Sequence, residues 1–138
     1  AASLVASTAQ RLVRRICPNC KAEDETLRPR LRAEIARTLD LSPEQVTAWR
    51  GKGCVDCNQT GYKGRVAVCE IFLLDETVQE LVTRRASTSE LRHEAQEHGM
   101  RNLRDDGWEK VVNGDTTVEE ISRITSSYDL SYDVSDDE

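Results

Sequence analysis

The sequence predicts an α+β protein that is mostly helical, with helices around a tetracysteine zinc site and one short β element near residues 65–73. Two observations support this fold class. Four of the five cysteines form two C-x-x-C pairs, and apolar residues recur at helical spacing on both sides of these pairs. With 138 residues, of which 4% are aromatic, the chain can bury one modest aliphatic core that a bound metal would help to stabilise.

The cysteine pairs are Cys17 with Cys20 and Cys54 with Cys57, and 33 residues separate the two pairs. A C-x-x-C turn directs two sulfurs at one point, so two such turns can complete a tetrahedral shell of four thiolates. Thiolate is a soft ligand that suits Zn²⁺, and a shell closed by four protein ligands leaves no position for a substrate. The spacing therefore predicts a structural zinc site.

Two other uses of these cysteines remain open. A disulfide framework is one alternative, although the number of cysteines is odd and no secretion signal is recognisable. A redox dithiol is the other, because Cys17-Pro18-Asn19-Cys20 has the form of a thioredoxin-type active site. That motif follows a buried strand and opens a helix, whereas here a basic stretch with a helical pattern precedes it. The comparison favours the metal site.

Charge is distributed unevenly along the chain. Residues 1–65 contain 12 Lys and Arg against 7 Asp and Glu, a net charge of +5, while the remaining 7 bases and 18 acids give residues 66–138 a charge of −11. Halves of opposite charge can complement each other within one molecule or across a subunit contact. The basic half has no interleaved aromatic residues, so we expect no nucleic-acid binding.

No segment is predicted to insert into a membrane. The longest apolar run, at residues 66–74, contains Glu70 and is about half the length of a membrane-spanning helix. Five cysteines without a recognisable secretion signal indicate a reducing compartment, the cytosol.

The region before the second cysteine pair is predicted to be helical. Residues 2–16 place their apolar side chains near one helical face. Residues 22–53 form a helical insert whose first helix starts near Pro29, and a second short helix is capped by Ser42. The apolar stripe of the first insert helix consists of Leu27, Leu31, Ile35 and Leu39.

The one strand that the sequence predicts covers residues 66–73, after a turn that contains Gly61 and Gly64. Both faces of this run are apolar apart from Glu70, which is typical of a strand buried on both sides. Cys69 lies inside the run, so we predict a packed free thiol there and not a fifth metal ligand.

Four helices are predicted after the strand. Their starts lie near Asp75, Ser87, Leu103 and Thr116 or Thr117. The second ends at Gly99 and the third at Gly114. His93 and His98 are five residues apart, which does not suit one helix face, so we treat both as surface residues. Residues 126–138 contain five acids and no bases, which predicts a disordered acidic tail.

Familiar catalytic motifs are missing from the chain. There is no phosphate-binding loop of the form G-x-x-x-x-G-K-[ST], no H-E-x-x-H and no G-x-S-x-G. We therefore predict no catalytic site and no cofactor-binding residue other than the metal ligands.

Several short segments carry a more specific pattern. They are residues 10–21, 53–65, 70–71, 99–100, 103–104, 106–107, 114–117 and 119–120. In their order, these segments resemble the carboxy-terminal region of the type II secretion and type IV pilus assembly ATPases. The resemblance covers residues 3–125, nearly the whole chain.

The resemblance implies that Cys17, Cys20, Cys54 and Cys57 bind zinc. It also implies a parent protein that is a cytoplasmic hexameric ATPase, peripheral at the bacterial inner membrane. The RecA-like core that binds ATP and Mg²⁺ would lie upstream, so we expect no ATP hydrolysis by this chain alone. The expected partners are the upstream ATPase domain, neighbouring subunits and an inner-membrane platform protein.

On this interpretation the chain has four parts. They are the end of the RecA-like domain (1–16), a zinc-binding subdomain (17–65), a strand with a helical bundle (66–125) and the acidic tail (126–138). The expected function is to couple ATP-driven motion to protein secretion or pilus assembly. A stand-alone zinc-dependent protein-binding module is an alternative, because residues 54–64 faintly resemble the C-x-x-C-x-G-x-G units of chaperone zinc domains. A thiol oxidoreductase is a further alternative.

Overall fold

A computed structural model describes residues 6–73, 76–97 and 101–126. The described strands are β1 (Ala6–Ile16), β2 (Lys21–Glu23), β3 (Trp49–Gly51) and β4 (Tyr62–Leu73). The described helices are α1 (Pro29–Leu39), α2 (Glu76–Thr83), α3 (Thr88–Glu97), α4 (Leu103–Asn113) and α5 (Val118–Ile124). The α+β class is confirmed. The mostly helical expectation holds only in part, because β4, with 12 residues, is longer than any described helix.

The first strand, β1, covers most of the segment 2–16 that was predicted to be a helix, so that prediction was wrong for residues 6–16, and its first residues lie outside the described ranges. β1 runs antiparallel to β4, with Val13 opposite Val66. Adjacent residues such as Leu12 and Val13 share a broad face on a helix but point to opposite faces of a strand. Val13 is 1% exposed and Leu12 is 52% exposed, as a strand requires. The partner strand lies far along the chain, where a local periodicity cannot reveal it.

The strand β4 begins at Tyr62, four residues before the predicted strand, and it is one of several. Val68 on its inner face is fully buried, whereas Ile71 on its outer face is 52% exposed. The prediction of burial on both faces is therefore wrong for this chain. Cys69 lies on the outer face and is exposed, so the predicted packed thiol is also wrong.

The insert between the cysteine pairs is only partly helical. α1 forms as predicted, and Ile35 of its apolar stripe is fully buried. The predicted second helix is a single 3₁₀ turn at Pro43–Gln45, although Ser42 and Gln45 form the expected capping box. β2 and β3 pair as a second antiparallel sheet. With three residues each, they are too short to produce a recognisable alternation, and the sequence did not predict them.

The four helices predicted after β4 are present among the described residues. Ser87 and Glu90 exchange the predicted capping bonds at the start of α3. Gly114 ends α4 with a φ of 86°, and Thr117 caps α5. The positions Asp75, His98, Gly99 and 127–138 lie outside the described residues. Within the described ranges, no helix has both the length and the apolar character needed to cross a bilayer.

The core lies between the inner face of the β1–β4 ribbon and the helices α1, α4 and α5. At its centre, the buried Trp108 donates its ring N–H to the Glu34 carboxylate at 2.8 Å. Arg104 donates to the same carboxylate, also at 2.8 Å. Burial raises the pKa of Glu34, but these two donors outweigh burial and lower it. The network ties the insert to the C-terminal helices.

The contact between α4 and α5 explains why a glycine, Gly107, stands inside α4. By helix propensity alone, a glycine at this position would weaken the helix. A Cβ at this position would lie 2.7 Å from Cγ2 of Ile121 on α5. Glycine therefore lets the two helices approach closely enough to close the core.

Candidate metal centre

The four cysteines of the two C-x-x-C pairs lie together in space. Their sulfurs all lie within 4.8 Å of one another. Sulfur–sulfur distances are 3.8 Å from Cys17 to Cys54, 3.9 Å from Cys20 to Cys57 and 3.8 Å from Cys54 to Cys57. A tetrahedron with Zn–S bonds of about 2.3 Å has edges of about 3.8 Å. The donor set and its spacing thus fit one tetrahedral ion such as Zn²⁺.

The same geometry disfavours the two alternative uses of the cysteines. A disulfide needs sulfurs about 2.05 Å apart, and all of these cysteines are free thiols. A thioredoxin-type dithiol opens a helix, whereas Cys20 is followed directly by the strand β2. Both pairs also share one site, which leaves neither of them to act as an independent dithiol.

The first pair is positioned by the end of β1. The Ile16 N–H donates to the Asp115 carbonyl at 2.9 Å, and the Cys17 N–H donates to the Gly61 carbonyl at 2.9 Å. These bonds attach the first pair both to the α4–α5 connection and to the turn that follows the second pair.

The second pair lies on a 3₁₀ turn, Val55–Cys57, held by a close backbone approach. A Cβ on Gly51 would overlap the Gly61 carbonyl, and a Cβ on Gly61 would lie 2.5 Å from the Gly51 carbonyl oxygen. Gly61 also has a φ of 84°. Sequence reasoning assigned Gly61 to a turn but missed its contact with Gly51, because the two glycines meet only in the folded chain.

Backbone and side-chain amides donate hydrogen bonds to three of the sulfurs. Cys20 accepts from the Gly53 N–H at 3.2 Å. Cys57 accepts from the N–H of Cys54 at 3.3 Å and from that of Gly61 at 3.1 Å. Cys54 accepts from the side-chain amide of Asn19 at 3.2 Å. Such donors favour the deprotonated sulfur that binds metal.

These contacts shift the thiol pKa values. Burial raises the pKa of Cys57, but the N–H groups of Gly61 and Cys54 outweigh it and lower the pKa to about 6. The Asn19 amide lowers the pKa of Cys54. Burial raises the pKa of Cys20 to about 11. The second pair is therefore the one that its surroundings favour as thiolates.

A buried carboxylate fixes the end of β1 beside the centre. Glu120, 1% exposed, accepts hydrogen bonds from the backbone N–H of Arg14 at 2.7 Å and from its guanidinium at 3.1 Å. Burial raises the pKa of Glu120, but the bonds from Arg14 and Arg123 outweigh it and lower the pKa to about 2. The sequence indicated Glu120 only as a helix-cap residue and did not reveal this role.

Two further contacts complete this arrangement, which we call the Glu120 latch (Arg14, Tyr62, Thr116, Thr117 and Glu120). The Arg14 guanidinium lies over the Tyr62 ring, 4.1 Å from its centroid. The Tyr62 hydroxyl lies 2.8 Å from the Thr117 hydroxyl, and Thr116 donates to the Arg14 carbonyl at 2.8 Å. The latch thus joins α5 to both strands of the ribbon next to the first cysteine pair.

Among the described residues, the tetracysteine cluster is the one group of three or more cysteine, histidine or acidic side chains placed to hold a metal ion. His93 is exposed on α3, as predicted.

Comparison with known proteins places the chain among secretion and pilus proteins. The sequence profile of the family described as "Type II/IV secretion system protein" matches residues 1–123. Type II secretion system protein HxcR of Pseudomonas aeruginosa is 37% identical over 125 residues, which cover 91% of this chain and 22% of that protein. Type II secretion system protein E of Aeromonas hydrophila is 39% identical over 124 residues, with shares of 89% and 24%.

A pilus protein shows the same degree of similarity. Type IV pilus assembly ATPase PilB of Thermus thermophilus is 37% identical over 123 residues, with shares of 87% and 13%. The chain therefore spans about a quarter or less of the length of these three relatives.

Proposed function

The chain belongs to the type II/IV secretion system protein family, and from this premise we propose that it is the zinc-binding carboxy-terminal module of a bacterial secretion or pilus assembly ATPase. The observation that carries the proposal is the cluster of four sulfurs within 4.8 Å of one another. Its role is structural and partner-contacting, and Cys17, Cys20, Cys54 and Cys57 are the proposed zinc ligands.

Bound Zn²⁺ would crosslink the four cysteine side chains rigidly. It would catalyse no reaction of its own, because four protein thiolates close its coordination shell. Cys17 directly follows β1, and Cys57 lies five residues before β4. The ligands therefore tie together the two strands of the ribbon at one end. The Glu120 latch supports that same end from α5.

In the parent protein, we assign ATP and Mg²⁺ binding to a RecA-like domain upstream of this chain. The module stiffens the end of that domain and passes its motion to neighbouring subunits or to an inner-membrane platform protein. On this proposal, the parent protein works in the cytoplasm, peripheral at the bacterial inner membrane. The absence of a phosphate-binding motif from this sequence supports that division of labour.

The contact that we propose for the ATPase domain is the outer face of the ribbon, where Leu12, Ala67, Cys69 and Ile71 lie beside the polar Thr8 and Gln10. Leu12 and Ile71 are each 52% exposed. Adjoining apolar side chains exposed on a sheet favour a protein partner over water. A domain that belongs to the same polypeptide can cover this face without a separate association step.

The free edge of β1 supports the same contact. The Arg14 N–H points away from β4, since Glu120 accepts it. By the alternation of an antiparallel ladder, the N–H groups of Thr8, Gln10 and Leu12 point the same way. These three groups therefore do not pair with β4, which leaves this edge of β1 available for another strand.

A paired substitution in the full-length motor tests this contact. Leu12→Lys puts a charge on the outer face, and Ala33→Lys puts the same charge on the exposed side of α1 as a control. We expect Leu12→Lys to lower the ATPase rate and to expose the ribbon to limited proteolysis, while Ala33→Lys changes neither. Equal ATPase rates and equal proteolysis in the two variants would show that the ATPase domain does not contact the outer face of the ribbon.

The division of labour has a direct test on the purified chain. We expect it to release no phosphate from ATP, whether or not Mg²⁺ is present, in an assay where a full-length relative is active. Hydrolysis above the buffer rate would show that catalysis does not lie upstream.

A further inference from the structure

The amide donors to the sulfurs of Cys20, Cys54 and Cys57 are not of one kind. Cys20 and Cys57 accept from backbone N–H groups, which most residue types can supply. Cys54 accepts from a side chain, the Asn19 amide, at 3.2 Å. Within the described residues this is the one side-chain donor to the cluster, and a single substitution can remove it.

The Asn19 bond also crosses between the two pairs. Asn19 lies in the turn of the first pair, between Pro18 and Cys20, whereas Cys54 opens the second pair. The bond therefore resists separation of the two turns.

The exposure of the four cysteine residues indicates which of them would leave a metal first. Cys17 and Cys57 are buried, and Cys20 and Cys54 are only half-buried. Water and competing ligands reach the half-buried residues more easily. The Cys20 sulfur accepts its hydrogen bond from the main-chain N–H of Gly53. Cys54 is therefore the half-buried cysteine whose hydrogen bond depends on a side chain.

We propose that Asn19 is a positioning residue that holds Cys54 on the bound metal and thereby sets the rate at which the site releases zinc. The inference rests on the proposed zinc site. Hydrogen bonds around metal ligands commonly change metal affinity 10- to 100-fold when removed. Because Asn19 is exposed, we expect the low end of that range.

The test is zinc release from the purified chain into a chromophoric chelator in excess, followed by stopped-flow absorbance. Asn19→Ala removes the donor, Asn19→Asp keeps the side-chain shape but has no N–H, and Asn19→Gln keeps an amide. Val55→Ala is the matched control, since Val55 is 85% exposed between the cysteines of the second pair.

We expect release to be about tenfold faster in Asn19→Ala than in the unsubstituted chain. Asn19→Asp should release zinc at least as fast, because it also places a negative charge beside thiolates. Asn19→Gln should recover part of the difference, and Val55→Ala should stay within about twofold. Co²⁺ substituted for zinc should give the absorption of four thiolates in every variant, which shows that the ligand set is intact.

The possible outcomes distinguish a failure of the role of Asn19 from a failure of the proposed zinc site. If the unsubstituted chain binds no zinc, the proposed zinc site itself fails. If it binds zinc and Asn19→Ala releases it at the unsubstituted rate with a normal Co²⁺ spectrum, the role of Asn19 is overturned. If Asn19→Ala does not fold, the comparison of Asn19→Asp with Asn19→Gln replaces it, and equal rates in those two overturn the role.

Discussion

The candidate metal centre and the β1–β4 ribbon meet at Cys17, yet different forces hold the two regions together. At the centre, sulfurs lie 3.8 Å apart, and several thiolates at that distance repel one another unless a cation lies between them. The ribbon is held by its backbone ladder and by burial of its inner face, including Val13 and Val68. The centre therefore needs a bound cation to stay ordered, and the ribbon does not. The centre can lose its order while the ribbon keeps it.

The largest expected effect is on the centre alone. Cys57→Ser removes the proposed ligand whose sulfur accepts two backbone N–H bonds. A structural zinc site contributes about 10–16 kcal/mol through four ligands, so the loss of one should weaken zinc binding about 100-fold or more. Chelator competition measures the affinity. Near-UV circular dichroism, recorded in a Trp49→Phe background so that Trp108 in the core is the one tryptophan, should remain close to that of the same background without Cys57→Ser. Collapse of that signal would show that the two regions are not separable.

A paired valine substitution acts on the other region. Val68→Ala in the inner face should lower the free energy of unfolding by about 2 kcal/mol, because a buried aliphatic side chain is shortened. Val55→Ala, at an 85% exposed position beside the ligands, should change it by less than about 0.5 kcal/mol. Denaturant unfolding measures both, and both variants should retain their zinc. Equal effects would contradict the account of what stabilises the ribbon.

The Glu120 latch gives the comparison a pH dependence. The pKa of Glu120 is lowered to about 2 in the folded chain, below the ordinary value of about 4.5. A lowered carboxyl pKa contributes stability above the unfolded pKa, and this contribution is lost as the pH falls through the folded pKa. The destabilisation caused by Glu120→Gln should be complete above about pH 5 and should vanish towards pH 2.

Acid also releases metal from thiolates, and this release affects both proteins. The free energies of unfolding of Glu120→Gln and of the unsubstituted chain are therefore compared at the same pH. Urea unfolding at a series of pH values provides the measurement. A difference in the free energy of unfolding that stays constant from pH 6 to pH 2 would show that Glu120 does not form a stabilising ion pair with Arg14.

The smallest effect is expected on the outer face. Ile71→Thr should change the stability of the isolated chain by less than about 0.5 kcal/mol, because this side chain is half exposed and threonine keeps a strand-forming shape. Thermal unfolding measures it. A loss comparable to that of Val68→Ala would mean that the outer face is covered within the chain itself.

The two regions also differ in how far the sequence predicts them. A C-x-x-C turn is complete within four residues, so its chemistry is visible without the fold, and the caps at Ser87 and Thr117 are equally local. The ribbon depends on pairing between distant segments. Leu12 and Val13 fit a helical face as well as a strand, and only the pairing with β4 separates them.

The supporting parts of the centre were missed for the same reason. Gly51 with Gly61, Asn19 with Cys54 and Arg14 with Glu120 are pairs whose members lie apart in sequence. Each residue looks ordinary in its own segment. The sequence thus identifies the four cysteines that we propose as ligands, but the residues that orient them become recognisable only in the folded chain.

The most direct test of the central claim is the metal content of the purified chain, measured by plasma mass spectrometry before and after chelation, with circular dichroism on the same samples. The account predicts one zinc per chain, and a partial loss of ordered structure on chelation that zinc reverses. A chain that contains no metal, and whose spectrum a chelator leaves unchanged, would show that these four cysteines do not form a zinc site.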